Sequence, residues 1–402
     1  MGGALLELVA LGEQDKHLVG NPQVSFFKHV YKRHTNFSIE TIKNQFLNKS
    51  DFGVKTSCVI ERKGDLLKDM YLEIELPVLS SGNNISWING IGNHLIDKID
   101  LLFGGEIIVS LTGEYLDIYS SLTVPQSKQD GYYKMIAKNT SYNNATQKGA
   151  LSLIVPLPFW FTKNIGYALP LISLQYTEVK LDIHLKPFSK CWYSNSAVSG
   201  SPQPSTVSIS EMNLYCDYIY LDAYERIKFA KKDNIEYLIE QLQINDSNPV
   251  SSINVNCDLT FNHPVKEMIW VYKSNDIETY NVWGNYAQNP NGGNNTSPIS
   301  QVELKLNNNN RFEKKKSNYF RLMQPYQNHT TIPSTNYIYT FSFALQPEKH
   351  QPTGTCNFSK IDNTVLNLTM ENSATSGNIN VYAINYNILK ITNGMAGLLY
   401  SS

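Results

Sequence analysis

The chain has 402 residues, of which 42% are hydrophobic and 17% charged, and 34 Lys and Arg stand against 35 Asp and Glu for a formal net charge of −1. The length exceeds one ordinary domain of about 150 residues, and the apolar fraction is enough to give two or three domains real cores. The near-neutral balance excludes a protein that coats nucleic acid directly, which needs a basic excess to neutralise phosphate, and it favours packing of like copies against one another.

The chain opens with MGGALLELVALG, which lacks the basic start of a secretory signal and carries Glu7 inside its apolar run. Leu5, Leu6, Leu8, Val9 and Leu11 make this segment too apolar to stay bare in water, and no stretch reaches the roughly 18 apolar residues of a membrane helix. Residues 1–23 are therefore expected to be an arm that uses those five side chains as an assembly contact. Gly20-Asn-Pro-Gln23 supplies a turn after it. Strands follow at 37–46, 54–62, 70–76, 95–103, 106–111, 151–157, 179–185 and 208–221, where apolar residues alternate as in MYLEIEL and VKLDIHL. Eight strands are what a jelly roll requires. Helical signals are few, the best being at 113–119 and 223–232. The stretches 123–149 and 274–298 read as long surface loops.

The second half repeats the first in order. Ile39-Glu40 has a counterpart in Ile235-Glu236, Lys68-Asp-Met70 in Lys266-Glu-Met268, and Ile99–Phe103 with Gly104-Gly105 in Val302–Leu306 with Asn307–Asn310. Tyr115-Leu116 matches Tyr319-Phe320, and Asn213-Leu-Tyr215 matches Asn380-Val-Tyr382. A collinear repeat of roughly 200 residues is too long for a solenoid unit and fits a duplicated domain. The expected fold class is all-β: two tandem eight-stranded jelly-roll β-sandwiches, each with its own core, and few short helices. The expected division is an arm at 1–23, a first jelly roll at 24–222, a connector at 223–235 and a second jelly roll at 236–402.

Chemistry-bearing patterns are sparse. His17, His29 and His34 lack metal-ligand spacing, and no metal or cofactor is expected. Glu73 and Glu75 alternate with Leu72, Ile74 and Leu76, so they belong to a solvated strand face and not to an acid–base pair. No P-loop, GxSxG, HExxH or GxGxxG sequence occurs, and an enzyme is not expected. Lys314-Lys-Lys316 reads as a solvated or interface run in a turn. Asn84, Asn139, Asn295 and Asn328 open N-x-[ST] sequences, which a chain this rich in Asn supplies freely. Cys58, Cys191, Cys216, Cys257 and Cys356 are odd in number and scattered, as expected of buried thiols in a reducing compartment.

Longer motifs carry a resemblance. GNPQVSFFK at 20–28, VYKRHTNF at 30–37, ALPLISLQY at 168–176, YLIEQLQ at 237–243, FNHPVKE at 261–267, YFRLMQPY at 319–326 and FALQPEKHQPTGTCNFSKID at 343–362 resemble the major capsid proteins of nucleocytoplasmic large DNA viruses. So does the ending, from YAINYN at 382–387 to GMAG at 394–397. The resemblance spans the whole chain. It implies a double jelly roll forming a pseudo-hexameric homotrimer, the capsomer that tiles an icosahedral virion. It also implies assembly in the host cytoplasm, neighbouring capsomers and minor capsid proteins as partners, an inner viral membrane nearby, and no direct contact with nucleic acid. A glycan-binding β-sandwich module or a viral fibre protein is the alternative. It would explain the aromatic content of 11% but not two collinear halves.

Overall fold

The computed structural model describes residues 2–79, 85–139, 149–194, 207–232, 234–290, 296–371 and 376–400. Asn84, Asn295 and residues 140–148 of the first long loop lie outside them. Two compact units are present, Met1–Asn36 and Phe37–Ser402. In the smaller unit, Gly3–Val9 is a helix and Lys16–Val19 a single helical turn, which ends at Gly20 before Asn21 in the left-handed region (φ 50°).

Among the described residues the larger unit is built on sixteen strands in four sheets, with four shorter strands added. In the first half the sixteen begin with β1 (Phe37–Asn44), β2 (Lys55–Val59), β3 (Leu66–Leu76), β4 (Ile96–Phe103), β5 (Glu106–Thr112), β6 (Leu151–Pro156), β7 (Val179–Leu185) and β8 (Glu211–Leu221). In the second half they are β9 (Asn234–Val250), β10 (Asn254–Asp258), β11 (Pro264–Ser274), β12 (Ile299–Leu306), β13 (Asn309–Lys316), β14 (Tyr339–Ser342), β15 (Thr364–Met370) and β16 (Gly377–Thr392). Of the four shorter strands, Ile85–Trp87 pairs with Trp192–Ser194 in the first half, and Cys356–Asn357 and Met395–Leu398 join one sheet of the second. The first half pairs as β1-β8-β3-β6 and β2-β7-β4-β5, and the second as β9-β16-β11-β14 and β10-β15-β12-β13. Adding eight to every strand of one half gives the other. Each half is thus an antiparallel jelly roll, which bears out the expected fold class.

The five sequence matches all fall on equivalent elements, and the pairing register goes with them. Met70 lies opposite Cys216 between β3 and β8, and Met268 opposite Ala383 between β11 and β16. Each partner sits three residues beyond its matched Asn, Asn213 or Asn380. Both β4–β5 and β12–β13 turn through two left-handed residues, Gly104 and Gly105 in one and Asn307 and Asn308 in the other. Gly and Asn are the residues that tolerate such a turn.

Three expectations need correction. Residues 123–149 include a helix at Gln126–Met135, and residues 274–298 include one at Asn275–Tyr280. Val282, Trp283, Tyr286 and Ala287 of the latter segment are buried, so it is packed structure and no mere surface excursion. Lys314, Lys315 and Lys316 end strand β13, an edge of its sheet, where exposed charge discourages pairing with another edge. Finally, the two sandwiches do not keep separate cores: their buried apolar side chains join in one cluster.

All five cysteines are free, four of them buried and Cys356 half-buried. Burial pushes the Cys58, Cys191 and Cys257 thiols up to about 12, which leaves almost no thiolate at neutral pH. We expect thiol titration of denatured, unreduced protein to recover five groups. In native protein Cys356 should be alkylated first and the other four only on unfolding.

Candidate functional site

The most constrained chemistry lies between the two sandwiches of the larger unit. Equivalent strands show where. β3 alternates between buried and half-buried side chains, as a sheet with one open face does. β11 is buried at nine of its eleven positions, so both of its faces are covered. The cover is supplied by the first half: the helix Gly113–Thr123 that follows β5 and the short helix Trp160–Lys163 that follows β6, while β5 itself lies against β9. Tyr115 packs on Tyr382 of β16 with ring centroids 6.0 Å apart, and Gln241 of β9 donates to the Ile108 carbonyl of β5 at 2.6 Å.

Charge is buried in this seam. The Glu240 carboxylate, 4% exposed, accepts from Lys163 of the first half and from Lys266 of β11, whose ammonium groups are 16% and 2% exposed on the side chain. Burial alone would raise the Glu240 carboxyl, but the two lysines overcome it and hold it at about 2. Burial depresses Lys266 to about 8, against the pull of Glu240. Lys163 is also subject to burial, yet Glu240 carries it above its usual value. Next to this triad, the His329 Nε2 lies 2.5 Å from Glu267 and its Nδ1 lies 3.1 Å from Glu348. Burial works against protonation of this ring, and the two carboxylates prevail, raising it to about 10. His329 is therefore an imidazolium donating to both.

A third cluster reaches back into the first half. Asp117, fully buried on the helix Gly113–Thr123, accepts from Lys138 at 2.6 Å and stays ionised despite burial because of that ammonium. His94 lies 3.8 Å from Asp117 and burial lowers it to about 4, so it is neutral. Gly284 of the second half presses its backbone against this pair with φ +79°, and a Cβ there would come within 2.9 Å of Asp117 Oδ2. Glu114 of the same helix is held by Lys273 of β11 at 3.4 Å and Asn380 of β16 at 3.1 Å.

These groups are ion pairs closed on one another, with no aligned nucleophile and base. Among the described residues no group of three or more His, Cys, Asp or Glu could hold a metal ion. In the sequence, Lys266 and Glu267 stand out as half of a repeated motif and as the end of the family motif FNHPVKE, while Lys163, Glu240, His329 and Glu348 have no assigned role. One signal could have exposed the seam. MIWVY at 268–272 is a continuous apolar run, whereas MYLEIEL in the equivalent strand alternates. Leu5, Leu6, Leu8, Val9 and Leu11 lie in and just after the helix Gly3–Val9, 55%, 66%, 72%, 77% and 62% exposed.

Removing one partner of a buried pair leaves uncompensated charge at a cost of about 3–5 kcal/mol. We expect Glu240→Ala to lower unfolding free energy by about that much in urea titrations. The pH dependence follows from sign. The folded-state value of Glu240 is depressed from 4.5 to about 2, so its contribution is present above 4.5 and lost as pH falls through 2. The urea midpoint of the parent should fall across that window, and that of Glu240→Gln should fall less steeply.

The comparisons agree with this architecture. Residues 25–222 match the family described as major capsid protein N-terminus, and residues 225–397 match large eukaryotic DNA virus major capsid protein. The chain is 39% identical to the major capsid protein of Pyramimonas orientalis virus and 35% identical to that of Paramecium bursaria Chlorella virus 1, with 100% of both chains covered in each case. Among solved structures, the PBCV-1 virus capsid is similar with a TM-score of 0.79 at 32% identity, covering 94% of this chain and 100% of that one. The Faustovirus major capsid protein shares the fold with a TM-score of 0.77 at 13% identity, covering 97% and 96%. Two lobes of one plan locked by a buried ionic seam, together with these full-length matches, place the chain in the major capsid protein family of large eukaryotic DNA viruses.

Proposed function

We propose that three copies of this chain close into a pseudo-hexameric capsomer, and that such capsomers tile the icosahedral shell of a virion assembled in the host cytoplasm. The observation that carries this reading is the doubling of the main strand order, two four-strand paths in each half. Two lobes of one plan per chain give six similar lobes per trimer, and the seam sets the angle between them. The chain divides functionally into an arm at 1–23, lobes at 24–222 and 236–402, and a connector at 223–235 that contains the helix Ala223–Ala230. It is a structural protein with no catalytic role, and needs no cofactor. Its net charge of −1 fits a shell that meets neighbouring capsomers, minor capsid proteins and an inner membrane and leaves the nucleic acid alone.

The arm is the second element of this reading. Leu5, Leu6, Leu8, Val9 and Leu11 form an assembly contact, each worth about 1.5–3 kcal/mol if fully buried and less once the ordering of the arm is subtracted. Light scattering of the full-length protein at micromolar concentration should give the mass of three chains, and a monomer mass would count against the capsomer. Deleting residues 1–23 should preserve that trimer and reduce its incorporation into closed shells during infection. Normal particle yield would refute the arm's role.

A further inference from the structure

The duplication makes the seam inside the chain a template for a contact between chains. In the seam, Tyr115 and Tyr119 of the first half cover Glu267, Ile269 and Ile384 on the outer face of the second-half sheet, leaving a gap of only about 20 Å³. The shared register assigns each of these a counterpart: Glu267 to Asp69, Ile269 to Tyr71, Ile384 to Asp217. Asp69, Tyr71 and Asp217 do lie together on the outer face of the first-half sheet. There they line an open hollow of about 500 Å³.

The covering ridge has its counterpart too. Tyr115 corresponds to Tyr319, and four residues on, where a helix returns to the same face, Tyr119 corresponds to Met323. Tyr319–Met323 forms a π-helical turn that runs into the helix Gln324–Asn328. Phe320 of this element is buried, whereas Met323 is 42% and Tyr326 70% exposed. An apolar ridge thus stands on the second lobe, and a hollow of matching position stands on the first.

Charge agrees. Across the open face, β8 and β3 set Glu211 opposite Glu75 and Asp217 opposite Asp69. Like charges placed directly opposite are destabilising in an isolated sheet. Lys43 and Lys68 offset them in part, at 2.9 Å from Glu211 and 2.8 Å from Asp69. The strand next to the ridge, β13, carries exposed Arg311, Lys314, Lys315 and Lys316 against Glu313. Its counterpart β5 lies against β9 in the seam, so the same geometry would bring β13 to β1, at the edge of the acidic sheet.

We propose that the ridge Tyr319–Met323–Tyr326 of one copy seats in the Asp69–Tyr71–Asp217 hollow of a second copy, with the Lys314–Lys316 run facing that copy's acidic sheet. The contact is head-to-tail, so it closes only as a ring. It rests on the capsomer reading and names the surfaces that would make it.

The test is a chain carrying both Tyr71→Cys and Met323→Cys, treated with a short bis-maleimide and run on a denaturing gel. Covalent trimers are expected from the double variant and not from either single one. Met323→Asp, at a half-exposed position, should keep the parent's circular dichroism spectrum yet give monomers at concentrations where the parent is trimeric. If the parent is trimeric, a double variant that gives no covalent trimer together with a Met323→Asp protein that stays trimeric would overturn this contact and leave the capsomer standing. A monomeric parent would overturn both.

Discussion

One carboxylate shared by two lysines sets the relation between the lobes. Glu240 belongs to the second sandwich and Lys163 to the first, and their side chains are only 4% and 16% exposed. In a dry site such a pair is satisfied only within a narrow geometry, because each lost hydrogen bond leaves a buried charge exposed to its full desolvation penalty. Buried ion pairs are weak sources of net stability, and in some proteins they fix one specific arrangement. Here the specific thing is the placement of one β-sandwich on another. Glu267, His329 and Glu348 extend the same constraint along β11, and Asp117 with Lys138 anchors the helix that forms the cover.

The duplicated halves have diverged where their environments differ. Lys68-Asp69 on β3 is a half-exposed surface pair, 31% and 34% exposed on the side chains. Its counterpart Lys266-Glu267 on β11 is buried, and the two residues have turned to different partners, Glu240 and His329. The next outward positions changed in the same sense. Tyr71 and Glu73 of β3 stand where β11 has Ile269 and Val271, so a polar outer face became an apolar one once a sandwich covered it. Trp270, on the opposite face of β11, packs on Phe320 and Tyr339.

Much of this fold was legible in the sequence because jelly-roll strands alternate. MYLEIEL and VKLDIHL announce one buried face, and the Gly-Gly and Asn-Asn turns announce hairpins. Other elements were hidden for physical reasons. Gln126–Met135 is a polar helix with no fully buried residue, and carries no apolar stripe to mark it. Residues 282–287 look like a loop because their aromatic side chains follow no strand or helix period, yet Trp283 and Tyr286 are buried. The seam was the least legible feature. Lys163, Glu240 and Lys266 are far apart in sequence and ordinary in type, and burial alone gives them their chemistry. Only the unbroken run at 268–272 hinted that a second layer covers β11.

The central claim is that two similar lobes, fixed by a buried seam, make this chain one third of a six-lobed tile. Imaging the purified protein by electron microscopy tests it most directly. Rings of six lobes with true threefold symmetry are expected, in which two lobe types alternate. Separate two-lobed particles, or rings with a number of lobes other than six, would contradict it.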